Sequence, residues 1–230
     1  DYYFLNEENE KLDALNNISL EFIKNGQVTN FIDCGEYEYN FVTSDVNYEI
    51  IFNNKTSLTI VPAVLNVQVL NNTYTYNSLG NLLNYVILSN NNVNFTDNEN
   101  IILSITKNGE TASLLNVGIY EYSFISNNQN IILNSGDITG TIEITSKLVY
   151  LQNVVDSYSY TGEELIFNYT LSENIAVNVE IDTLINAGRY DYIVTACDSN
   201  YEIVNGTGTV VVTPKSIQVL NISTNYTYTG

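Results

Sequence analysis

Carboxylates are the residues whose type and spacing come nearest to chemistry in this chain. Glu7-Glu8, Asp97 with Glu99, and Glu163-Glu164 each bring two acids together, and two carboxylates are the minimal device for acid–base hydrolysis of a glycosidic bond. Proximity in sequence is a weak signal for that chemistry, and no pair recurs at matching places along the chain. No catalytic residue is assigned, and the chain is not expected to be an enzyme. The absence of His removes imidazole bases, histidine metal ligands and Ser-His-Asp or Cys-His arrangements. Asp97-Asn98-Glu99-Asn100 is the best place for calcium, because carboxylate and amide oxygens are hard ligands. It lacks the glycine and spacing of an EF-hand, so Asp97 and Glu99 are weak metal candidates in what reads first as a solvated acidic loop. No resident cofactor is expected. Lysine–asparagine isopeptide chemistry would draw on Lys11, Lys24, Lys55, Lys107, Lys147 or Lys215, and none sits in a recognisable signature.

The 230 residues carry 7 basic and 26 acidic side chains, a formal charge of −19. Such a field repels nucleic-acid phosphates and anionic lipid, so neither is an expected partner. No run of 18 apolar residues exists, and no segment is expected to insert in a membrane. The opening Asp1-Tyr2-Tyr3-Phe4 has no basic start and no apolar core of a signal peptide, so the chain is expected to be a mature product or a piece of something longer. Asn-x-Ser/Thr sequons, including those at Asn17, Asn54 and Asn168, follow from a composition rich in Asn, Ser and Thr.

The elements that carry these residues repeat. Gly-x-Tyr-x-Tyr occurs at Gly35, Tyr37 and Tyr39, at Gly118, Tyr120 and Tyr122, and at Gly188, Tyr190 and Tyr192. Twelve residues after each glycine an asparagine opens a second recurring string: Asn47-Tyr48-Glu49-Ile50, Asn130-Ile131-Ile132-Leu133 and Asn200-Tyr201-Glu202-Ile203. A Pro or Ser follows 26 to 28 residues after the glycine, at Pro62, Ser146 and Pro214, and a Tyr-x-Tyr ends 14 residues further on, at Tyr76, Tyr160 and Tyr228. Landmarks in constant order, two of them at constant spacing, mark an internal repeat. The units are 1–62, lacking its first strand; 63–146, with a polar insertion loop near Asn90 to Asn108; 147–214; and 215–230, the first strand of a further unit. Cys34 and Cys197 fall at non-equivalent places in different units, so both are expected to be reduced, Cys34 as a small core residue.

Apolar and polar residues alternate with the period of strands, as at Leu65, Val67 and Val69 or Ile217 and Val219. The one helical candidate is Asn6 to Leu15. A glycine ahead of the tyrosines permits a positive-φ turn or a close backbone approach. The strand after it puts both tyrosines on one face, where one ring packs inside and bonds its hydroxyl back to the turn, as in a tyrosine corner. The rival reading is an exposed aromatic stripe for stacking on sugars. Pro62 and Pro214 make the joints between units short and stiff, and stiff joints between small β-modules make a rod.

Asn186-Ala187-Gly188-Arg189-Tyr190-Asp191-Tyr192, then Asn200-Tyr201-Glu202-Ile203, Gly206 to Lys215 and Tyr226-Thr227-Tyr228-Thr229-Gly230 resemble the MBG-type repeats of bacterial surface adhesins. The third unit matches best. Ser78, Ile131 and Ser146 depart from the pattern. The resemblance implies an all-β fold: small immunoglobulin-like β-sandwiches in tandem, end to end, with β-grasp-like modules as the alternative. It further implies an extracellular, cell-surface setting, with neighbouring repeats of the same chain as partners. The expected role is a structural stalk. The alternatives are units that themselves bind a host or cell-surface glycan or protein, and a subunit that assembles by donating its terminal strand.

Overall fold

The computed structural model describes residues 3–12, 17–51, 57–91, 93–95, 100–134, 136–220, 225 and 227–230. Asp97 and Glu99 of the calcium candidate lie outside them. The chain is all-β, with no α-helix among the described residues and therefore none long and apolar enough to cross a membrane. Its strands follow the order of the three sequence units. Residues 1–62 contribute β1 (Ile18–Lys24), β2 (Gln27–Thr29), β3 (Gly35–Thr43) and β4 (Leu58–Ile60), one sheet in the order β2-β1-β3-β4. Residues 63–146 contribute β5 (Ala63–Asn71), β6 (Thr73–Thr75), β7 (Asn84–Ser89), β8 (Ile101–Lys107), β9 (Glu110–Thr111), β10 (Gly118–Ser126), β11 (Ile131–Leu133) and β12 (Thr139–Thr145). They form the sheets β11-β5-β7 and β6-β12-β10-β8-β9. Residues 147–214 contribute β13 (Lys147–Gln152), β14 (Ser157–Ser159), β15 (Thr170–Leu171), β16 (Val177–Ile181), β17 (Gly188–Ala196), β18 (Tyr201–Val204) and β19 (Thr207–Thr213), in the sheets β15-β13-β18 and β14-β19-β17-β16.

The third set of strands shows how alternation becomes a core. Leu151 of β13 belongs to one sheet, and Tyr192, Val194, Val210 and Val212 belong to the other. All are buried in one apolar cluster with Leu184, which is the packing of a β-sandwich. The chain passes from one sheet to the other between β13 and β14, and each of these pairs in parallel within its own sheet: β13 beside β18, with Lys147 opposite Tyr201, and β14 beside β19, with Ser157 opposite Val211. The same two parallel pairs recur as β5 with β11, Ala63 opposite Ile131, and β6 with β12, Glu143 opposite Thr73. Contact density divides the chain into two compact units. One comprises Asp1–Leu70, Asn84–Ile105 and Tyr122–Gly140; the other comprises Asn71–Leu83, Thr106–Glu121 and Thr141–Gly230.

Three expectations change. The helix candidate is a tight turn over its described part: Leu5 bridges Lys11, and the Asn6 carboxamide oxygen accepts from the amides of Glu8 and Glu10. An asparagine that captures nearby amides competes with a helix. The insertion region is not all loop, because Ile101–Lys107 is a strand whose alternating apolar residues find a partner in β10. Lys215 to Leu220 forms no strand, although its pattern matches β5 and β13. Those two strands pair with β7 and β11 or with β15 and β18, whereas no described residue offers Lys215–Leu220 a ladder, and a strand without a ladder leaves its backbone polar groups to water.

Candidate functional site

The Gly-x-Tyr-x-Tyr strings open β3, β10 and β17, and the first tyrosine of each does the same work. Tyr37 donates its hydroxyl proton to the Asp33 carbonyl (2.6 Å), Tyr120 to Asn116 (2.7 Å) and Tyr190 to Asn186 (2.8 Å). Each bond spans the turn four residues upstream and satisfies a carbonyl that the strand cannot reach. Tyr37 and Tyr120 are 1% and 2% exposed, so these rings are packing elements and offer no face to a sugar. Of the second tyrosines, Tyr122 and Tyr192 are buried and Tyr39 is half-buried. A Cβ on Gly140 would lie 2.5 Å from the Tyr122 hydroxyl, and one on Gly208 would clash in the same way with Tyr192. Burial, and secondarily the Asp137 charge, pushes the Tyr122 phenol above its ordinary pKa.

Two lysines complete the first two turns. Lys24 donates to the Cys34 carbonyl (2.8 Å) and Lys107 to the Val117 carbonyl (3.0 Å). Their ammonium groups stand 5.0 Å from the Tyr37 ring centre and 4.7 Å from that of Tyr120, a cation–π contact. Gly35 and Gly118 have φ of +138° and +141°, and a Cβ there would strike the lysine at 2.9 Å and 2.7 Å. Glycine is thus needed for both backbone and space. Gly188 has neither constraint: no lysine reaches it, and its Cβ would meet only Tyr190 at 3.7 Å. The lysines were legible as Lys24-Asn25-Gly26 and Lys107-Asn108-Gly109. Asn25 (φ 54°), Gly26 (77°), Asn108 (55°) and Gly109 (81°) form hairpin turns with positive φ at both central residues, the setting that favours Asn-Gly.

The recurring asparagines supply what the tyrosine turns lack. Asn130, following β10, accepts from the Cys34 amide through Oδ1 (2.6 Å) and donates through Nδ2 to Asp33 Oδ1 (2.9 Å). Asn200, following β17, accepts from the Val117 amide (2.8 Å) and donates to Asn116 Oδ1 (3.1 Å). Each carboxamide therefore reads a donor and an acceptor on the tyrosine turn of the preceding segment. Each is aimed by an Asx turn: the Asn130 amide donates to Asn128 Oδ1 and the Asn200 amide to Asp198 Oδ1 (2.9 Å both). Cys34 sits at this junction, half-buried and free, its thiol donating to the Gln129 carbonyl (3.0 Å). It packs at a joint, not in a core, because the turn before Gly35 faces Asn130. The sequence signal for the junction was Asp/Asn-x-Asn at Asp45-Val46-Asn47, Asn128-Gln129-Asn130 and Asp198-Ser199-Asn200.

Pro214 follows β19 directly, and Pro62 follows β4 after Val61. At the equivalent Ser146, Lys147 pairs with Glu173 (2.7 Å), which holds the lysine above its ordinary pKa through that hydrogen bond. Tyr76 meets Tyr201 edge to face at 5.3 Å, and burial first, then Tyr201, raises the Tyr76 pKa. Among the described residues no three His, Cys, Asp or Glu side chains are grouped to hold a metal ion. Glu7-Glu8 and Glu163-Glu164 lie on exposed turns, with the Glu163 amide donating to Thr161. No family model matches this chain, and no curated protein matches it either.

Proposed function

We propose that the chain is a structural spacer: tandem immunoglobulin-like units of an extracellular, adhesin-like surface protein, whose work is to hold successive units in fixed order. The observation that carries this reading is the asparagine junction, built twice with the same atoms. A donor–acceptor pair on each tyrosine turn meets a carboxamide from the next segment, aimed by its own Asx turn. A flexible linker makes no such bonds. The chemistry of the sequence agrees, since the recurrent residues serve turns and joints. Of the recurring rings, Tyr37, Tyr120, Tyr122 and Tyr192 are buried and offer no face for glycan stacking.

Small-angle scattering at high dilution tests the spacer. A compact globule of this length has a radius of gyration of about 17 Å. Three modules in line, each roughly 30 Å long, bring it nearer about 30 Å. The expected result is the larger value, unchanged between low and high salt. A value near the globule would end the spacer reading.

A further inference from the structure

β1, β8 and β16 hold the same place in their segments, beside β3, β10 and β17, and β16 alone has a bare outer edge. The register equates the strands: Leu20 lies opposite Phe41 and Val179 opposite Val194, each partner six residues past its glycine. After β1 and β8 the chain turns back through Asn-Gly. β2 and β9 then cover part of the edge, with Phe22 opposite Thr29 and Thr106 opposite Thr111. The third segment has no Asn-Gly there. Asp182-Thr183 leads instead to Leu184, which bridges Leu165. β16 is therefore the outermost strand of β14-β19-β17-β16. Adjoining segments do not fill the place. The preceding segment is present and adds no strand to β16, and in both built joints the following segment pairs with neither β1 nor β8.

The edge is built for pairing. The Cys197 amide donates to the Ala176 carbonyl (3.0 Å). Bonding alternates along an antiparallel ladder, so Asn178 and Glu180 spend their backbone groups on Thr195 and Ile193, the residues opposite them. Val177, Val179 and Ile181 turn their N–H and C=O groups away from β17. Their side chains share the inner face: Val177 and Ile181 pack against the apolar cluster, and Val179 stays 38% exposed. Edges are commonly blunted by proline, lysine or a bulge. Val177–Ile181 has no proline, no lysine and no positive-φ residue.

We infer that β16 pairs antiparallel with β16 of a second copy, about a two-fold axis through Val179. The strand is its own complement in that register. The two Val179 residues face each other and exchange backbone bonds, and Val177 faces Ile181, apolar against apolar. On the outer face Asn178 comes opposite Glu180, so each carboxylate meets a carboxamide donor. Moving the axis to Ile181 sets Glu180 opposite Asp182, and like charges directly opposite oppose pairing. Moving it to Val177 runs the pair off the strand. Four strands from each copy then continue as one sheet of eight. The contact is isologous and closes at two copies. Each copy carries −19, so screening salt strengthens it. The spacer reading concerns a single chain and is judged at dilution, whereas this contact is judged by concentration.

Sedimentation velocity of the full chain from about 10 µM to about 1 mM, in salt that shortens the Debye length to about 8 Å or less, is the test. The weight-average mass should rise from 25.8 kDa toward a plateau at twice that value. Val179→Pro removes an outward N–H that β17 does not use, a place where an edge tolerates proline. With one central bond lost per copy, dimerisation should weaken by at least about tenfold. Val179→Lys and Val179→Glu read the axis itself, because residue 179 faces only its own counterpart. Each alone should weaken the dimer, and the two mixed should dimerise more tightly than either alone. Circular dichroism checks that all three variants keep their β structure. A wild-type chain that stays monomeric, or a mass that climbs past the dimer, overturns the inference. So does a folded proline variant that dimerises like wild type, or a lysine–glutamate mixture no tighter than its components.

Discussion

Single residues in this chain are tuned to turns, and the same residue type is constrained unequally in the three strings. Gly118→Ala places a side chain at φ +141° and its Cβ 2.7 Å from Lys107 Nζ, so it should cost about 1–3 kcal/mol. Gly188→Ala meets ordinary contact and should stay within about 0.5 kcal/mol. Urea unfolding of the two variants measures the contrast, and equal losses would contradict the lysine–glycine fit. Tyr120→Phe removes a buried hydroxyl that serves both the carbonyl and the amide of Asn116, for about 1–3 kcal/mol. A second residue-scale prediction concerns Asp45. Hydrogen bonds from the Asn47 amide, then the Asn47 side chain, hold its carboxyl below the ordinary value of 3.8, with a weaker contribution from Asn17. A depressed folded pKa stabilises above the unfolded value and is lost as pH falls through the folded one. The Asn47 turn should therefore persist at pH 5 and open only below pH 3.8. An NMR titration of the Asp45 carboxyl reads this directly, and a midpoint at or above 3.8 would contradict it.

At the scale of elements, the joint is the unit of design, and Asn200 is its centre. Asn200→Ala strips the Val117 amide and Asn116 Oδ1 of their partner in a buried place. Leaving a buried donor unpaired costs about 1–3 kcal/mol. Asn47→Ala, whose side chain bonds only within its own exposed turn, should cost far less in the dilute chain. Thermal unfolding of both variants checks the difference, and similar losses would mean that Asn200 acts through its Asx turn alone. The strands themselves were legible in sequence, because period-two alternation in β5, β13 and β19 is a direct image of a half-buried sheet. The tyrosine turns were legible as well, since a glycine followed by two tyrosines on one face has few uses. The joint was only half legible. The asparagine was visible as a landmark, but its target lies 96 residues upstream of Asn130 and 84 upstream of Asn200, and no local period encodes a partner at that distance. Ile101–Lys107 was hidden for another reason: a polar stretch precedes it, and composition averaged over the whole insertion masks a seven-residue strand. Over its described part the helix candidate at Asn6 gives way to a turn because the Asn6 side chain captures the amides of Glu8 and Glu10, which the spacing of Leu12 and Leu15 does not encode.

The whole molecule carries its charge almost unpaired. Against a net −19 there is one salt bridge among the described residues, Lys147 with Glu173. Lys24 and Lys107 spend their charge on backbone carbonyls and tyrosine rings. Self-repulsion of this kind works against any compact state and is relieved by screening. The melting temperature should therefore rise as sodium chloride increases from about 10 mM, where the Debye length is about 30 Å, to about 1 M, where it is about 3 Å. Each kcal/mol relieved is worth about 2–4 °C in a chain of this size. A fall in melting temperature with salt would show that the few ion pairs outweigh the repulsion. Calcium sharpens the same experiment. If divalent cations act only by screening, calcium and magnesium at equal ionic strength should raise the melting temperature equally. A calcium increment that magnesium does not reproduce, lost on Asp97→Asn with Glu99→Gln, would instead assign those two carboxylates a site. Calcium accepts many oxygen ligands in irregular geometry, while magnesium demands a near-octahedral site and holds its waters.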